Sequence, residues 1–427
     1  MNAKYYPRPD ETLFKTTLPN GLTVMVVPKP GFTRKTAYFV TDYGSVHTGF
    51  TLDGIHYDAP AGVAHFLEHK MFDLPGRDVS EEFAALGAAV NAFTSYDMTA
   101  YYFSATENFD ECLRLLLEFV STPYFTEESV QKELGIIDQE IGMNLDDPGT
   151  QVFESLMLGL YNHHPIRVPI LGSSESIRSI TPEVLHTCHR AFYTPANMML
   201  CVIGDVDAGQ VERIAREVLG DEKRSAGIKD APEEGPGKCP TDKVESEMDI
   251  PMPTFSLAFK CPPLGKGDEA IRREIIGDLA AEVLFGEASS LYLQLYEQGL
   301  IDSSFGGGFE TIDGCAMLSC GGDSYESEKV RDAILARAAQ IAEQGVEEAE
   351  FRRLKRSAVG RRIRDLDSFS STCFRLCAYH CSDFDYFRFP EVYETISGQD
   401  IQAFLDENVR KNNCSISIIY PSKEETL

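Results

Sequence analysis

The order of apolar and polar positions divides the chain into short β-like runs and longer helical ones. Thr23–Pro28 (TVMVVP) and Ala37–Thr41 (AYFVT) are dense in β-branched and aromatic residues and predict strands. Stretches near 61–73 and 107–121 place apolar residues at helical spacing and predict helices. Asn91 to Tyr102 alternates polar with apolar or aromatic residues and reads as strand, with strands expected near 88–93 and 101–105. Thr126 to Asn144 (TEESVQKELGIIDQEIGMN) reads as an amphipathic helix with an N-capping threonine and an acidic first turn. Strands and long helices mixed within one segment predict an α+β domain, a mostly antiparallel sheet with helices packed on one face.

The pattern recurs. Ala37-Tyr38-Phe39-Val40 leads through a loop to the helix near 65, and Ser256-Leu257-Ala258-Phe259-Lys260 leads to a helix around Glu269 to Phe285. The apolar run from Asn197 to Gly204 closes the first half as the run from Asn413 to Tyr420 closes the second. Such repetition predicts two copies of one fold. Between them, Asp221 to Glu245 is charged, rich in Pro and Gly, and aperiodic, the profile of a linker. The expected division is therefore residues 1–220, a linker over 221–245, and a second domain over 246–427.

At 427 residues the chain exceeds the usual size of one domain, and 43% apolar content supports two cores. No apolar stretch approaches the roughly 18 residues needed to span a bilayer. The N-terminus lacks both an apolar signal core and an Arg-rich transit pattern. A net charge of −28 argues against nucleic acid and anionic membrane surfaces as partners. The 11 cysteines are odd in number, mostly within apolar runs, and form no CxxC. Free thiols in a reducing cytosol are expected rather than a disulfide framework, and the location expected is cytoplasmic.

The chemistry concentrates in His65-Phe66-Leu67-Glu68-His69. Histidines four apart on a helix lie one turn above each other, so both imidazoles can reach one metal ion. Glu68 sits on nearly the same face, near a metal without being obliged to bind it. Zinc held by few protein ligands keeps a position for water, and a neighbouring carboxylate can take that water's proton. H-x-x-E-H is the inverzincin order, the reverse of H-E-x-x-H. A third ligand is available on the 126–144 helix, where Glu133 and Glu140 are seven apart and share a face. Either can complete a His-His-Glu set and leave the other to orient a ligand; periodicity alone does not choose between them. If Asn91 to Tyr102 lies at a sheet edge beside the metal, an extended peptide can pair with it by strand addition.

With these motifs the chain resembles the pitrilysin/insulinase family of inverzincin peptidases, in its bacterial, mitochondrial-processing-peptidase-like branch. The resemblance rests on Gly62 to Phe72, Asn91-Ala92-Phe93-Thr94-Ser95 with Tyr101-Tyr102, Lys132-Glu133 and Asp138-Gln139-Glu140-Ile141. It continues through His164-Pro165-Ile166-Arg167, Leu171-Gly172 and Phe192 to Met198, and more loosely to the C-terminus. It implies zinc ligands His65, His69 and Glu140, Glu68 as general base and Glu133 as supporting carboxylate. Glu140 follows His69 by 71 residues, the family's usual gap. It further implies that Asn91, Ala92 and Phe93 bind substrate backbone, and that two homologous α+β domains face one another as a clam shell. The zinc would lie on the inner wall of the first domain. In the second, Glu282-Val283-Leu284-Phe285-Gly286 stands near the motif position and contains no histidine, so no second active site is expected.

One departure stands out. Cleaving relatives carry an arginine and a tyrosine in a segment like L-R-x-x-x-L-x-Y, which approach the substrate carbonyl. The matching segment here is Leu295 to Asp302, with Tyr296 in place of the arginine and Asp302 in place of the tyrosine. Losing such a donor costs about 10²–10³ in rate per group. The reading is a zinc metalloendopeptidase acting on peptides or unfolded segments. It is expected to work as a heterodimer with a paralogue supplying the Arg/Tyr pair, or else as a homodimer. The alternative is a non-catalytic zinc- and peptide-binding or assembly subunit.

Overall fold

The computed structural model describes every residue except 232–233, 235–237 and 423–427. It separates into two compact units. The first comprises Met1–Ile141, Val168–Ala231 and Ile363–Arg388; the second comprises Gly142–Arg167, the chain from 232 to 362 and the chain from Phe389 onward.

Among the described residues the first unit holds a seven-stranded sheet. Its strands are Asn2–Tyr6 (β1), Glu11–Thr17 (β2), Thr23–Pro28 (β3), Lys35–Thr41 (β4), Ala88–Thr94 (β5), Thr99–Ala105 (β6) and Met198–Gly204 (β7). They lie side by side in the order β1-β2-β3-β7-β4-β6-β5. The second unit's five strands are Lys243–Met248 (β8), Thr254–Cys261 (β9), Gly306–Ile312 (β10), Cys315–Asp323 (β11) and Cys414–Pro421 (β12), ordered β8-β12-β9-β11-β10. The run β3-β7-β4-β6-β5 and the run β8-β12-β9-β11-β10 have the same pairings: one parallel pair, then three antiparallel ones. The repeat legible at 197–204 and 413–420 is thus the second strand of each five-stranded core. The α+β class expected from the sequence holds.

The stretch from Asn91 to Tyr102, which alternates as one strand would, is two strands. β5 and β6 pair antiparallel, with Thr94 opposite Thr99, and Ser95–Met98 make the turn. Ser95 donates its N–H to the Met98 carbonyl at 2.8 Å and its hydroxyl to Asp97 Oδ1 at 2.8 Å. Paired residues share a face, so even-numbered Ala92 and Thr94 look the same way as odd-numbered Tyr101 and Thr99, and the four-residue turn inverts the sequence alternation.

The first sheet, expected to carry helices on one face only, is covered on both. On one, Phe39, Tyr101 and Leu200 join the core with Phe66 and Leu67 of helix α1 (Val63–Met71) and Leu113, Leu116 and Leu117 of the helix Phe109–Ser121. Burying a side chain such as Phe39 is worth about 1.5–3 kcal/mol. The other face takes a helix from late in the chain, Phe369–Cys381, packed on β4 and β7. There Tyr38 stacks on Tyr102 at 4.5 Å between centroids, and Phe374 meets Phe93 at 5.9 Å. Conversely the helix Pro148–Leu160, capped by Asp147, packs on β8, β9 and β12 of the second sheet. Sequence order alone assigned these two helices to the opposite halves.

Part of the expected linker, 232–233 and 235–237, lies outside the described residues. Within the rest, Ile228–Lys229 pairs with Phe50 and Thr51, and Lys243 already belongs to β8. Glu234 plugs a turn of the second unit. Its Oε2 accepts the backbone N–H groups of Asn162, His163 and His164 at 3.1, 2.9 and 3.1 Å. Its Oε1 accepts from Lys260 Nζ at 2.6 Å, and both side chains are buried. Burial pulls this carboxyl's pKa up, but the lysine and the amides outweigh burial and hold it at about 2. All 11 cysteines are free, as their spacing suggested.

Candidate metal centre

Two glycines fix where α1 begins. Gly62, at φ 91°, caps the helix, and a β-carbon there would stand 2.4 Å from the Leu171 carbonyl oxygen. Gly172, at φ 72°, returns the contact: its β-carbon would lie 2.5 Å from the Ala61 carbonyl oxygen. Ser176 Oγ donates to that same carbonyl at 2.9 Å. The two loops close on each other through main chain, which only glycine permits at both points.

From this start α1 is buried almost throughout, so its polar residues must find partners. His65 and His69 lie one turn apart with ring centroids at 4.6 Å. Helix α2 (Glu127–Leu145) buries Val130, Ile137 and Ile141 and turns its adjacent flank toward α1. Glu140 brings Oε1 to 3.7 Å from His65 Nε2 and Oε2 to 3.6 Å from His69 Nε2. One carboxylate therefore faces both imidazoles. One ligand atom from each of these three residues lies within 4.8 Å of the others, the only such cluster of three or more among the described residues. Zinc bonds of 2.0–2.1 Å at tetrahedral angles separate neighbouring ligand atoms by ~3.3 Å, so the site needs little adjustment to hold the ion.

Glu133 lies two turns before Glu140 and does something different. Its Oε1 is 2.9 Å from His69 Nδ1, the nitrogen that faces away from Glu140. The alternatives left open by spacing are thereby separated in space: Glu140 faces the shared centre and Glu133 stands behind one imidazole. His65 Nδ1 is buried with no protein partner among the described residues, so Nε2 is the nitrogen it presents.

Burial, with the neighbouring His69, pushes the His65 imidazole down to about 3, so it is neutral near pH 7. Burial also pulls His69 downward, but the Glu133 hydrogen bond and the surrounding carboxylates override it and leave its pKa raised. The Glu68 carboxyl is raised chiefly by burial, against the pull of Thr94 and His69. Thr94 Oγ1 donates to Glu68 Oε2 at 2.7 Å. Behind these groups Tyr101 and Tyr193 share a hydroxyl–hydroxyl hydrogen bond of 2.9 Å.

Asn91, Ala92 and Phe93 lie in β5, the edge strand of the sheet, in contact with α1. Alternation puts Ala92 and Thr94 on the α1 face. The Phe93 ring turns to the other face, against Tyr102 and Phe374. Thr94 and the tyrosine pair were missed by reasoning on residue chemistry, although Thr94 is two positions past Ala92 and so shares its face. In the second unit Tyr296 is about half exposed and stacks on Tyr292, and Asp302 Oδ1 accepts from the Ser304 amide and hydroxyl at 2.8 and 2.6 Å.

Comparison with known proteins agrees with this arrangement. Residues 51–174 match the family described as Insulinase (Peptidase family M16), and residues 179–358 match the Peptidase M16 inactive domain. An uncharacterized zinc protease of Bacillus subtilis, YmfH, is 34% identical over 97% of this chain and 98% of its own length. An uncharacterized zinc protease of Mycobacterium tuberculosis, Rv2782c, is 27% identical over 85% of this chain and 82% of its own. A crystal structure described as an M16-like peptidase from Alicyclobacillus acidocaldarius superposes with a TM-score of 0.92 at 32% identity, covering 96% of this chain and 99% of that one. On these grounds the chain belongs to the insulinase family of peptidases, M16.

Proposed function

We propose that the chain is a zinc metalloendopeptidase that hydrolyses peptides or unfolded polypeptide segments. One observation carries the reading: Glu140 faces Nε2 of both His65 and His69 while the buried carboxylate of Glu68 stands on the same helix. The zinc protease names of the relatives support the choice of metal.

Zinc bound by His65, His69 and Glu140 would supply Lewis acidity, polarising a scissile carbonyl and acidifying water at an open position. Each remaining step belongs to the protein. Glu133 keeps the proton of His69 on Nδ1 and so leaves the Nε2 lone pair free. His65, neutral because it is buried, offers Nε2 in the same way. Glu68 accepts the proton of the attacking water at its carboxylate and passes it to the nitrogen of the departing amine. Burial raises its pKa above the ordinary carboxylate value, which favours taking up a proton. The free edge of β5, with Asn91, Ala92 and Phe93, holds the substrate extended by main-chain hydrogen bonds.

A paralogous subunit supplies the arginine and tyrosine that this chain replaces with Tyr296 and Asp302, making the working unit a heterodimer; a homodimer is the alternative arrangement. The same two replacements favour a second reading, a subunit that binds zinc and peptide without turnover. Eleven free thiols support a reducing, cytoplasmic setting. Incubating the zinc-loaded chain with an internally quenched peptide, with and without a chelator, tests the assignment. Chelator-sensitive cleavage is expected, and zinc-loaded protein that binds peptide but never cleaves it, alone or with a paralogue, favours the second reading.

A further inference from the structure

Glu68 is a flexible side chain on a rigid helix, and its carboxylate can swing through three torsions. Among the described residues a single side-chain donor holds it: Thr94, whose hydroxyl reaches Oε2 at 2.7 Å. Thr94 itself is firmly placed. It is the last residue of β5, opposite Thr99, and the next residue, Ser95, is locked into the turn by its amide and its hydroxyl. Thr99 is fully buried and donates its hydroxyl to the Tyr43 carbonyl at 2.9 Å. The Tyr101 and Tyr193 hydroxyls nearby bond to each other at 2.9 Å, and neither makes a hydrogen bond to Glu68.

We infer that Thr94 is a positioning residue. Its hydroxyl occupies one oxygen of Glu68, fixes the plane of the carboxylate, and leaves Oε1 to take the proton. The placement ties two functions to one strand: the edge proposed to receive substrate ends in the residue that aims the base, so the register of a bound peptide and the direction of the carboxylate are set together. This inference rests on the peptidase reading above.

The test compares Thr94→Val, which keeps the shape and loses the hydroxyl, with Thr94→Ser, which keeps the hydroxyl. Assays use zinc-loaded full-length chain, with its paralogue where turnover requires it, and an internally quenched peptide. Thr94→Val is expected to lower kcat by about 10–100-fold with KM changed less than about twofold, and Thr94→Ser to restore most of the rate. Zinc content should be unchanged in both. In a Glu68→Gln background, Thr94→Val should add no further loss, because the threonine acts only through that carboxylate. Crystal structures of wild type and Thr94→Val give a readout free of turnover, in which the Glu68 carboxylate should leave its position in the variant. A Thr94→Val protein with full kcat, a Thr94→Ser protein no better than it, lost zinc, or an undisplaced Glu68 would overturn the role. Full activity in Glu68→Gln would overturn Glu68 as the base, whereas a wild-type chain that never cleaves, alone or with a paralogue, would overturn the peptidase reading and leave the crystallographic comparison to decide the role of Thr94.

Discussion

Glu133 binds the far nitrogen of His69, Nδ1, at 2.9 Å, and thereby determines which nitrogen that histidine offers to the centre it shares with Glu140. Two glutamates that a helical projection makes equivalent are separated by which side of one imidazole they meet. Glu140→Gln should therefore lose most bound zinc. Glu133→Gln should weaken zinc affinity about 10–100-fold, the range for groups that orient a ligand. Competitive titration against a zinc-chelating dye ranks the two, and the reverse order would exchange their roles.

Glu68 lies outside the cluster of His65, His69 and Glu140, and Thr94 already occupies one of its oxygens. Glu68→Gln should keep one zinc per chain while abolishing peptide hydrolysis. Elemental analysis beside an activity assay checks both halves, and a folded but zinc-free variant would refute the assignment of the base.

The partner prediction concerns turnover. Purified alone, the chain should hydrolyse peptides weakly, and a paralogue with an intact L-R-x-x-x-L-x-Y segment should raise kcat more than it lowers KM. Unchanged full activity in a homogeneous preparation, whatever is added, would remove the need for a second chain.

The interlocked loops at Gly62 and Gly172 make a sharp stability prediction. Gly62→Ala forces a β-carbon to 2.4 Å from the Leu171 carbonyl at a left-handed φ. A loss of about 1–3 kcal/mol is expected, with reduced zinc affinity because the start of α1 must shift. Urea unfolding and zinc titration of the same variant measure the two effects.

Acid sensitivity should trace in part to Glu234. Its folded pKa, about 2, lies below its ordinary value of 4.5, so the ionised form is favoured by folding. The stability it contributes is fully present above pH 4.5 and is lost as pH falls from there toward 2. Glu234→Gln should cost about 1–3 kcal/mol at pH 7, leaving Lys260 buried without its charge partner. The gap from wild type in urea midpoint should narrow steadily below pH 4.5; a constant gap would contradict the linkage.

Much of this was legible in the sequence because it depends on local period. Helical spacing placed His65, Glu68 and His69 on one side of α1, and Glu133 with Glu140 on one side of α2. Residue content and alternation marked β3 to β6 but not β1, β2, β8, β10 or β11, and the likeness of 197–204 to 413–420 exposed the repeat. The choice between Glu133 and Glu140 was not readable from period, because it turns on the angle at which α2 crosses α1. The β5–β6 turn was blurred because Ser95–Met98 contain no Gly or Pro to punctuate it. Glu234 was hidden within a stretch whose composition reads as linker, since three amides and a lysine far away in sequence give that carboxylate its place.

The helix Phe369–Cys381 covers β4 and β7, strands that leave the ribosome more than 160 residues earlier. Until it arrives, Tyr38, Cys201 and Tyr102 have no cover on that side, and the first sheet is a half-finished layer. Maturation of the unit that carries the candidate metal centre therefore cannot be complete when its own strands have been synthesised. It waits for the last quarter of the chain, and a polypeptide truncated in the 221–245 region would carry every residue of the metal centre on a sheet with one bare face. Such a fragment should be a client of chaperones rather than a small peptidase.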